Sequence, residues 1–338
     1  MKYREDLVSV ITPCYNAVAT IAETIESVAA QRYPHVEHIV VDDGSTDGSW
    51  DVIEQYRDRI RAVRLERNQG GSHARNTGAA LADGAFLMFL DADDLLLLDA
   101  VASLVRAVQG EPNAIGVCPW RRLRMVDGQW KRVESEIPFP PPSDALKGWL
   151  EGIWVPPCAV LWRRDAFALT GGWDETLTLN DDGDVMMRAL VRGASLRVAH
   201  EGTALYRSHP LSAQISVSGG VYFDDKLRSQ IRIFSRLERE LDEAGRLPRY
   251  RKSLSIAYHR VALDGFKVGH VEVARACVAE GVRLAGSQAV SPTRIGRLLA
   301  FLLGLERKER VVQGLARLGI MTPLRRQFLE RRQRVLAR

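Results

Sequence analysis

Three carboxylates follow directly on a run of five apolar residues, FLMFL at 86–90. They are Asp91, Asp93 and Asp94. Carboxylates this close together repel one another, so some retain a proton unless a cation lies among them. The group therefore suits a divalent metal with an anionic ligand on its far side. The alternative is a solvated acidic turn in which Asp94 or Asp99 caps the next helix. The apolar run itself predicts a buried parallel strand.

Other polar segments also follow predicted strands. DDGSTD at 42–47 and NQGGSHARN at 68–76 each come after a predicted strand. The first four strands are predicted at 7–11, 38–41, 60–65 and 86–90, with helices at 18–30, 49–58 and from 68–76 to Leu81. The helical connections between these strands are long enough to join parallel strands. The polar loops that follow parallel strands meet at one edge of the sheet. Ser45, Thr46 and Asp47 are predicted to cap the second helix.

Residues 110–215 predict a second half of the same domain. It has a strand at 115–119, a hairpin turning at Asp127-Gly128, and a helix at 181–191 with Asp182 in its first turn. Six of the seven tryptophans lie between 120 and 173. Most of them are expected to pack in the core, and one or two to contact a sugar ring.

Several classes of protein are disfavoured by missing motifs. The chain has no G-x-G-x-x-G after its first strand, no G-x-x-x-x-G-K-[ST] and no C-x-x-C. It also shows no nucleic-acid-binding signature, so no nucleic-acid partner is expected. A secretory signal and an apolar stretch long enough to span a bilayer are both missing, which favours a cytoplasmic protein.

The basic character of the chain is concentrated at its end. The formal net charge is +5, and residues 321–338 carry six arginines against one glutamate. The chain is predicted to divide into a catalytic domain at 1–220 and a helical region at 221–338. The helices of this second region are predicted at 223–244, 250–265, 271–285, 294–305, 308–318 and 323–336. The final stretch suits an interfacial helix on an anionic membrane, or a helix docked on its own domain with solvated arginines. The sequence leaves both readings open.

Four motifs, taken together, resemble the family 2 glycosyltransferases. They are VSVITPCYNA (8–17), IVVDDGSTDGS (39–49), NQGGSHARNTGAALADGAFLMFLDADD (68–94) and GGWDE…NDDGDVMMRAL (171–190). The resemblance covers about residues 8–215. It implies an α/β GT-A fold, in which helices flank a Rossmann-like mixed sheet that is mainly parallel, with a C-terminal α-helical extension. It also implies inversion at the transferred sugar.

The resemblance assigns roles to particular residues. The residues implied to bind the nucleotide sugar are Pro13, Tyr15, Asp43, Asn68, Arg75 and Asp91. The metal ligands implied are Asp93, Asp91 and His209. Asp182 matches the catalytic base. Because Asp181 replaces the glutamate of the family's Glu-Asp motif, either Asp181 or Asp182 could serve. Gly183 replaces a frequent aromatic residue, which is expected to widen the acceptor side.

The implied cofactor is Mn²⁺ or Mg²⁺, which would neutralise the departing diphosphate. A UDP- or dTDP-sugar is the favoured donor and a GDP-sugar the third option. The acceptor is a saccharide or a lipid-linked saccharide, in bacterial-type surface polysaccharide or glycoconjugate synthesis. The implied location is the cytoplasm or the inner face of the membrane, with residues 321–338 as the membrane contact. The alternative function is a catalytically silent nucleotide-sugar-binding protein.

Overall fold

The computed structural model describes residues 3–133, 139–177, 179–208 and 223–286. Packing divides the chain into two compact units. The first comprises Met1–Trp149 and Ile153–Val221, and the second Leu150–Gly152 and Tyr222–Arg338.

The first unit contains two sheets. Their strands are β1 (Arg4–Cys14), β2 (Val36–Asp42), β3 (Arg61–Arg64), β4 (Gly84–Phe89), β5 (Leu95–Leu96), β6 (Ala114–Val117), β7 (Trp120–Val126), β8 (Gln129–Val133), β9 (Val160–Arg163), β10 (Ser195–Val198) and β11 (Ala204–Ser208). The larger sheet has the order β10-β6-β9-β4-β1-β2-β3. Its neighbouring strands are parallel except for β9, which runs antiparallel to β4 and β6. The predicted mixed, mainly parallel sheet is confirmed.

The centre of this sheet is almost entirely apolar. In the run that ends at the acidic turn, Leu87, Met88, Phe89 and Leu90 are at most 1% exposed. A strand buried on both faces requires a near-continuous apolar sequence, as this run provides. The same burial fixes the strand end, and so it fixes where the carboxylates of the next turn lie.

Helices cover the sheet. They are α1 (Ile21–Ala29), α2 (Ser49–Glu54), α3 (Gly71–Leu81), α4 (Ala100–Val108), α5 (Ala145–Leu150), α6 (Arg164–Ala168) and α7 (Asp181–Val191). Helices α3 and α7 both begin within segments that contain candidate site residues. The predicted span of α7 is confirmed, whereas α2 ends four residues earlier than predicted.

The smaller sheet has the order β5-β11-β7-β8. Strands β7 and β8 form the predicted hairpin, and Asp127 and Gly128 at its turn have φ angles of 52° and 75°. Strand β5 corrects one prediction: it separates Asp94 from α4, whose N-cap residue is Asp99. Asp94 does not cap the helix. Its buried carboxylate instead accepts the backbone N–H of Arg207 at 2.8 Å.

The described part of the second unit is helical, with α8 (Phe223–Glu243), α9 (Leu247–Val268) and α10 (Val271–Ala285). These helices match the predicted ones closely, although α9 starts three residues early, with a proline in its first turn. The helices predicted at 294–305, 308–318 and 323–336 lie outside the described residues. Within the described ranges, every helix is too short or too polar to traverse a lipid bilayer.

Candidate active site

The first turn of α3 brings two polar side chains to the carboxyl edge of the sheet. Ser72 and Arg75 are three residues apart, so they lie on one face of the helix. The Ser72 hydroxyl donates to Asp181 Oδ2 at 3.0 Å, and Arg75 Nη1 donates to the same oxygen at 3.1 Å. Helix α3 is thereby joined to the start of α7, 106 residues away for the Arg75 contact.

Arg75 also contacts the acidic turn after β4. Its Nη2 donates to Asp91 Oδ1 at 2.6 Å, and the guanidinium lies over the Trp173 ring, 4.6 Å from the centroid. Burial disfavours the charged guanidinium, but Asp91 and Asp181 raise the pKa of Arg75. The arginine side chain is 12% exposed, so these charge-assisted bonds operate with little solvent screening. Three predicted site residues are therefore brought together.

Asp182 has a different environment from Asp181, although both lie in the first turn of α7. The indole N–H of Trp154 donates to Asp182 Oδ2. Burial, and then the neighbouring Asp181 carboxylate, raise the pKa of Asp182 to about 6, against the lowering effect of the Trp154 hydrogen bond. A carboxyl with such a pKa can exchange a proton near neutral pH.

Aromatic rings surround this carboxyl. Trp154 packs edge-on against Trp120 and Tyr206, with centroid distances of 5.5 and 5.3 Å. A small pocket beside Asp182 is lined mainly by apolar side chains, among them Phe89 and Trp173. Four of the six clustered tryptophans are buried, as expected for core packing: Trp120, Trp149, Trp162 and Trp173. That one or two of the six contact a sugar stays a prediction.

The DDGS segment is locked to the loop that precedes α3. Asp43 is 2% exposed, and its two oxygens accept the backbone N–H groups of Gln69 and Gly70, each at 2.8 Å. Gly44 has a φ of 70°, and a Cβ there would lie 2.7 Å from the backbone carbonyl carbon of Arg67. Only glycine suits such a conformation and such a close approach. Asp43 thus shapes the loop that carries Asn68, whose side chain is exposed.

The predicted capping role of Ser45, Thr46 and Asp47 is largely wrong. The N-cap residue of α2 is Gly48. Ser45 Oγ instead accepts the N–H of Asn16 at 3.0 Å, and Asp47 Oδ2 accepts the N–H of Val18 at 3.0 Å. These side chains hold the loop after β1, because its N–H groups have no strand partner.

The end of β1 and the loop after it carry two predicted nucleotide-binding residues. Pro13 lies at the end of β1 and is partly buried. Tyr15, in the loop itself, is 49% exposed. An exposed aromatic face on a loop held by its backbone is available to stack on a planar ligand.

The acidic turn fits a divalent metal of which most ligands are water molecules and phosphate oxygens. Burial raises the pKa of Asp91, the charge on Asp93 adds to the effect, and Arg75 opposes it. Crowded carboxylates of this kind favour a hard cation with oxygen ligands. Among the described residues, no three His, Cys, Asp or Glu side chains are arranged to enclose a metal. His209, the third predicted ligand, lies outside the described residues.

That Gly183 widens the acceptor side stays a prediction. A Cβ at this position would lie 2.1 Å from Asn180 Oδ1. The Asn180 side chain therefore occupies the space, and Asn180 itself has a φ of 61° at the N-cap of α7.

Sequence reasoning missed Ser72, Trp154 and Trp173. Ser72 could have been found from its spacing, since it lies one helical turn before Arg75. Trp154 is 28 residues from Asp182, and no local pattern connects the two. Trp173 was part of the GGWDE motif and of the clustered tryptophans, but no role was predicted for it.

Comparison with known proteins gives matches to one family. The profile of Glycosyl transferase family 2 matches residues 9–168. A candidate teichuronic acid biosynthesis glycosyltransferase, TuaG of Bacillus subtilis, is 50% identical over 91 residues, which are 26% of this chain and 36% of TuaG. The Escherichia coli UDP-Glc:alpha-D-GlcNAc-diphosphoundecaprenol beta-1,3-glucosyltransferase WfaP is 36% identical over 107 residues, covering 31% of this chain and 43% of WfaP. The chain thus spans less than half the length of these relatives.

Among solved structures, S. aureus TarS 1-349 matches with a TM-score of 0.66 and 20% identity, covering 93% of this chain and 92% of TarS 1-349. At that identity the likeness concerns the fold. It agrees with the mixed sheet and its helices as described above. The profile match thus assigns residues 9–168 to glycosyl transferase family 2, and the curated relatives that match this chain are named glycosyltransferases.

Proposed function

We propose that this chain is an inverting, metal-dependent glycosyltransferase that moves a sugar from a nucleotide-diphosphate sugar to an acceptor hydroxyl. The observation that carries the proposal is that the two adjacent carboxyl groups at the start of α7 lie in different environments. Asp182 has a pKa of about 6 beside an aromatic pocket, while Asp181 is hydrogen-bonded to Ser72 and Arg75. A base of this kind is what proton removal from an acceptor hydroxyl needs.

Asp182 is the base in this proposal and Asp181 a positioning residue. Both donors from α3 converge on Asp181 Oδ2, so a proton on that oxygen would break two hydrogen bonds. Asp182 accepts a neutral indole N–H, which orients the carboxyl. A single base that activates the attacking hydroxyl gives inversion without a covalent intermediate.

The donor occupies the loops at the carboxyl edge of the sheet. Tyr15 stacks on the nucleotide base, Asn68 and Arg75 bind the donor, and Pro13 lines the pocket. A carboxylate offers about four lone-pair sites, and Asp43 uses two of them on Gln69 and Gly70. The remaining sites can accept the N–H of a uracil, thymine or guanine base.

Asp91 and Asp93, with His209, would hold Mn²⁺ or Mg²⁺ at the diphosphate. When bound, the metal supplies the positive charge that stabilises the leaving nucleoside diphosphate. Arg75 contributes a fixed positive charge at the same place, since it already contacts Asp91.

The comparisons support a role in bacterial surface polysaccharide synthesis. TarS 1-349 has been solved with UDP-GlcNAc, and the mannosyltransferase PcManGT of Pyrobaculum calidifontis, with a TM-score of 0.50, with GDP-Man and Mn²⁺. WfaP is named for a diphosphoundecaprenol-linked acceptor. A lipid-linked saccharide acceptor at the inner face of the membrane is consistent with that relative.

The test is a donor survey with the purified chain. UDP-, dTDP- and GDP-sugars are incubated with saccharide acceptors and Mn²⁺, Mg²⁺ or a chelator, and the released nucleoside diphosphate is measured. We expect metal-dependent release with one donor class and a product of inverted anomeric configuration by NMR. Donor binding without release under any condition would favour the silent binding protein instead, and a retained configuration would contradict the single-base mechanism.

A further inference from the structure

The hairpin formed by β7 and β8 has an unusual charge. Residues 121–133 contain five cations and one acid: Arg121, Arg122, Arg124, Lys131, Arg132 and Asp127. Glu134 and Glu136 follow in sequence, outside the described residues. None of these cations belongs to the candidate active site as assigned above.

Two of the cations lie directly opposite each other. Arg124 pairs with Lys131 across the strands, and both side chains are exposed. Like charges at such a position destabilise a hairpin. The Asp127 carboxylate lies 3.6 Å from the Lys131 ammonium, at a turn where it is 87% exposed, so it offsets little of this repulsion. An anionic partner would offset it more effectively.

The tip of the hairpin is apolar as well as basic. Met125 and Val126, immediately before the turn, are 43% and 42% exposed. Trp130, opposite Met125, is partly buried, and the Arg207 guanidinium lies 5.3 Å from its ring centroid. A soluble polyanion would be bound by the cations alone. Apolar and aromatic side chains among cations are typical of segments that enter the headgroup layer of an anionic bilayer.

We propose that the β7–β8 hairpin tip docks on an anionic lipid bilayer, with Met125 and Val126 entering the headgroup layer and Arg124, Lys131 and Arg132 contacting lipid phosphates. The proposed contact uses none of residues 321–338. Strand β7 rises about 3.3 Å per residue, so its tip lies about 20 Å from Trp120. Because Trp120 packs against Trp154, the docked hairpin holds the Asp182 pocket close to the membrane surface.

The test is co-sedimentation of the full chain with phosphatidylcholine vesicles, with and without phosphatidylglycerol. Two variants change the tip: Arg124→Ser with Arg132→Ser, and Met125→Ser with Val126→Ser. The control, Arg57→Ser with Arg61→Ser, removes the same charge from exposed positions elsewhere. All are made with residues 321–338 present and deleted, and thermal unfolding verifies that each is folded.

The arginine variant should lower partitioning onto anionic vesicles about 25-fold, because each of the two surface cations contributes about 1 kcal/mol, a factor of about five. The Met125/Val126 variant should also bind more weakly, and the control should stay close to wild type. An equal loss of vesicle binding in the control would show that net charge alone accounts for the effect, and it would overturn the proposal. A second result would also overturn the proposal: the Met125/Val126 variant binds vesicles as wild type does, and dextran sulfate competes fully with the vesicles. That result would identify a site for a soluble polyanion. Because only binding is measured, the result is independent of catalytic activity.

Discussion

Asp181 and Asp182 are adjacent in sequence but face different partners. Asp181 is hydrogen-bonded to a hydroxyl and a guanidinium from α3, whereas Asp182 is hydrogen-bonded to an indole and borders a pocket. The difference arises because consecutive residues on a helix point about 100° apart. One carboxylate can therefore be fixed by the donor side of the site while the next faces the acceptor side.

The pH profile of transfer tests the role of Asp182. A base accepts a proton only when it is deprotonated, so kcat/KM should rise with pH, with an inflection at about 6, and level off above it. Trp154→Phe removes a donor that favours the charged carboxylate. The inflection should then move to higher pH. Trp50→Phe, on α2, is the matched control and should leave it unchanged. A Trp154→Phe enzyme that is slower at every pH, with the inflection unmoved, would show that Trp154 has only a structural role.

At the residue scale, the sequence predicted those side chains that belong to contiguous motifs. Arg75, Asp91 and Asp181 all belong to such motifs, and the hydrogen bonds of Arg75 bring them together. Trp154 could not be predicted, because its contact with Asp182 depends on the path of the segment between β8 and β9. Asp94 was misassigned because a two-residue strand, β5, gives almost no sequence signal.

At the scale of elements, the loop after β2 and the loop before α3 are held together by direct contacts. Asp43 holds two N–H groups of the second loop, and Gly44 allows the two backbones to touch. The nucleotide-binding residues expected on these loops thus depend on packing between backbones rather than on either loop alone.

Gly44→Ala should therefore be costly. It combines a positive φ with a Cβ 2.7 Å from the backbone of Arg67. Gly110→Ala is the matched control, since Gly110 has a similar φ of 76° and open space around its Cβ position. The control should lose about 1–2 kcal/mol of unfolding free energy, the cost of a left-handed conformation for an L-residue, and Gly44→Ala a further 1–3 kcal/mol or so from overpacking. Urea denaturation measures both values. Equal losses would mean that the loops are not locked as described.

The longer elements were the easier ones to predict. Strands β1 and β4 and helix α7 follow strong apolar patterns of the correct period. Helices α5 and α6 were missed because five or six residues hold too little periodic signal. The start of α2 at residue 49 was predicted correctly, whereas its end was predicted four residues too late.

For the whole molecule, ligand binding should be visible as stability. On the proposed function, a nucleoside diphosphate with Mn²⁺ should bind the folded first unit and not the unfolded chain, and should raise the apparent free energy of unfolding by about 2.7 kcal/mol at a hundredfold excess over Kd. Asp93→Ala should lose the part of the thermal shift that requires Mn²⁺. Asp58→Ala, at an exposed turn, removes the same charge and should keep it. A full Mn²⁺-dependent shift in Asp93→Ala would remove Asp93 from the metal site.

The most direct test of the whole account compares Asp182→Asn with Asp181→Asn, measuring donor affinity and turnover for each. With Asp182 as the base, Asp182→Asn should bind the donor as wild type does while turnover falls by about 10²- to 10⁴-fold. Asp181→Asn should weaken donor binding, because Arg75 loses a partner, yet retain measurable turnover. An active Asp182→Asn enzyme beside an inactive Asp181→Asn enzyme would contradict the assignment of the base.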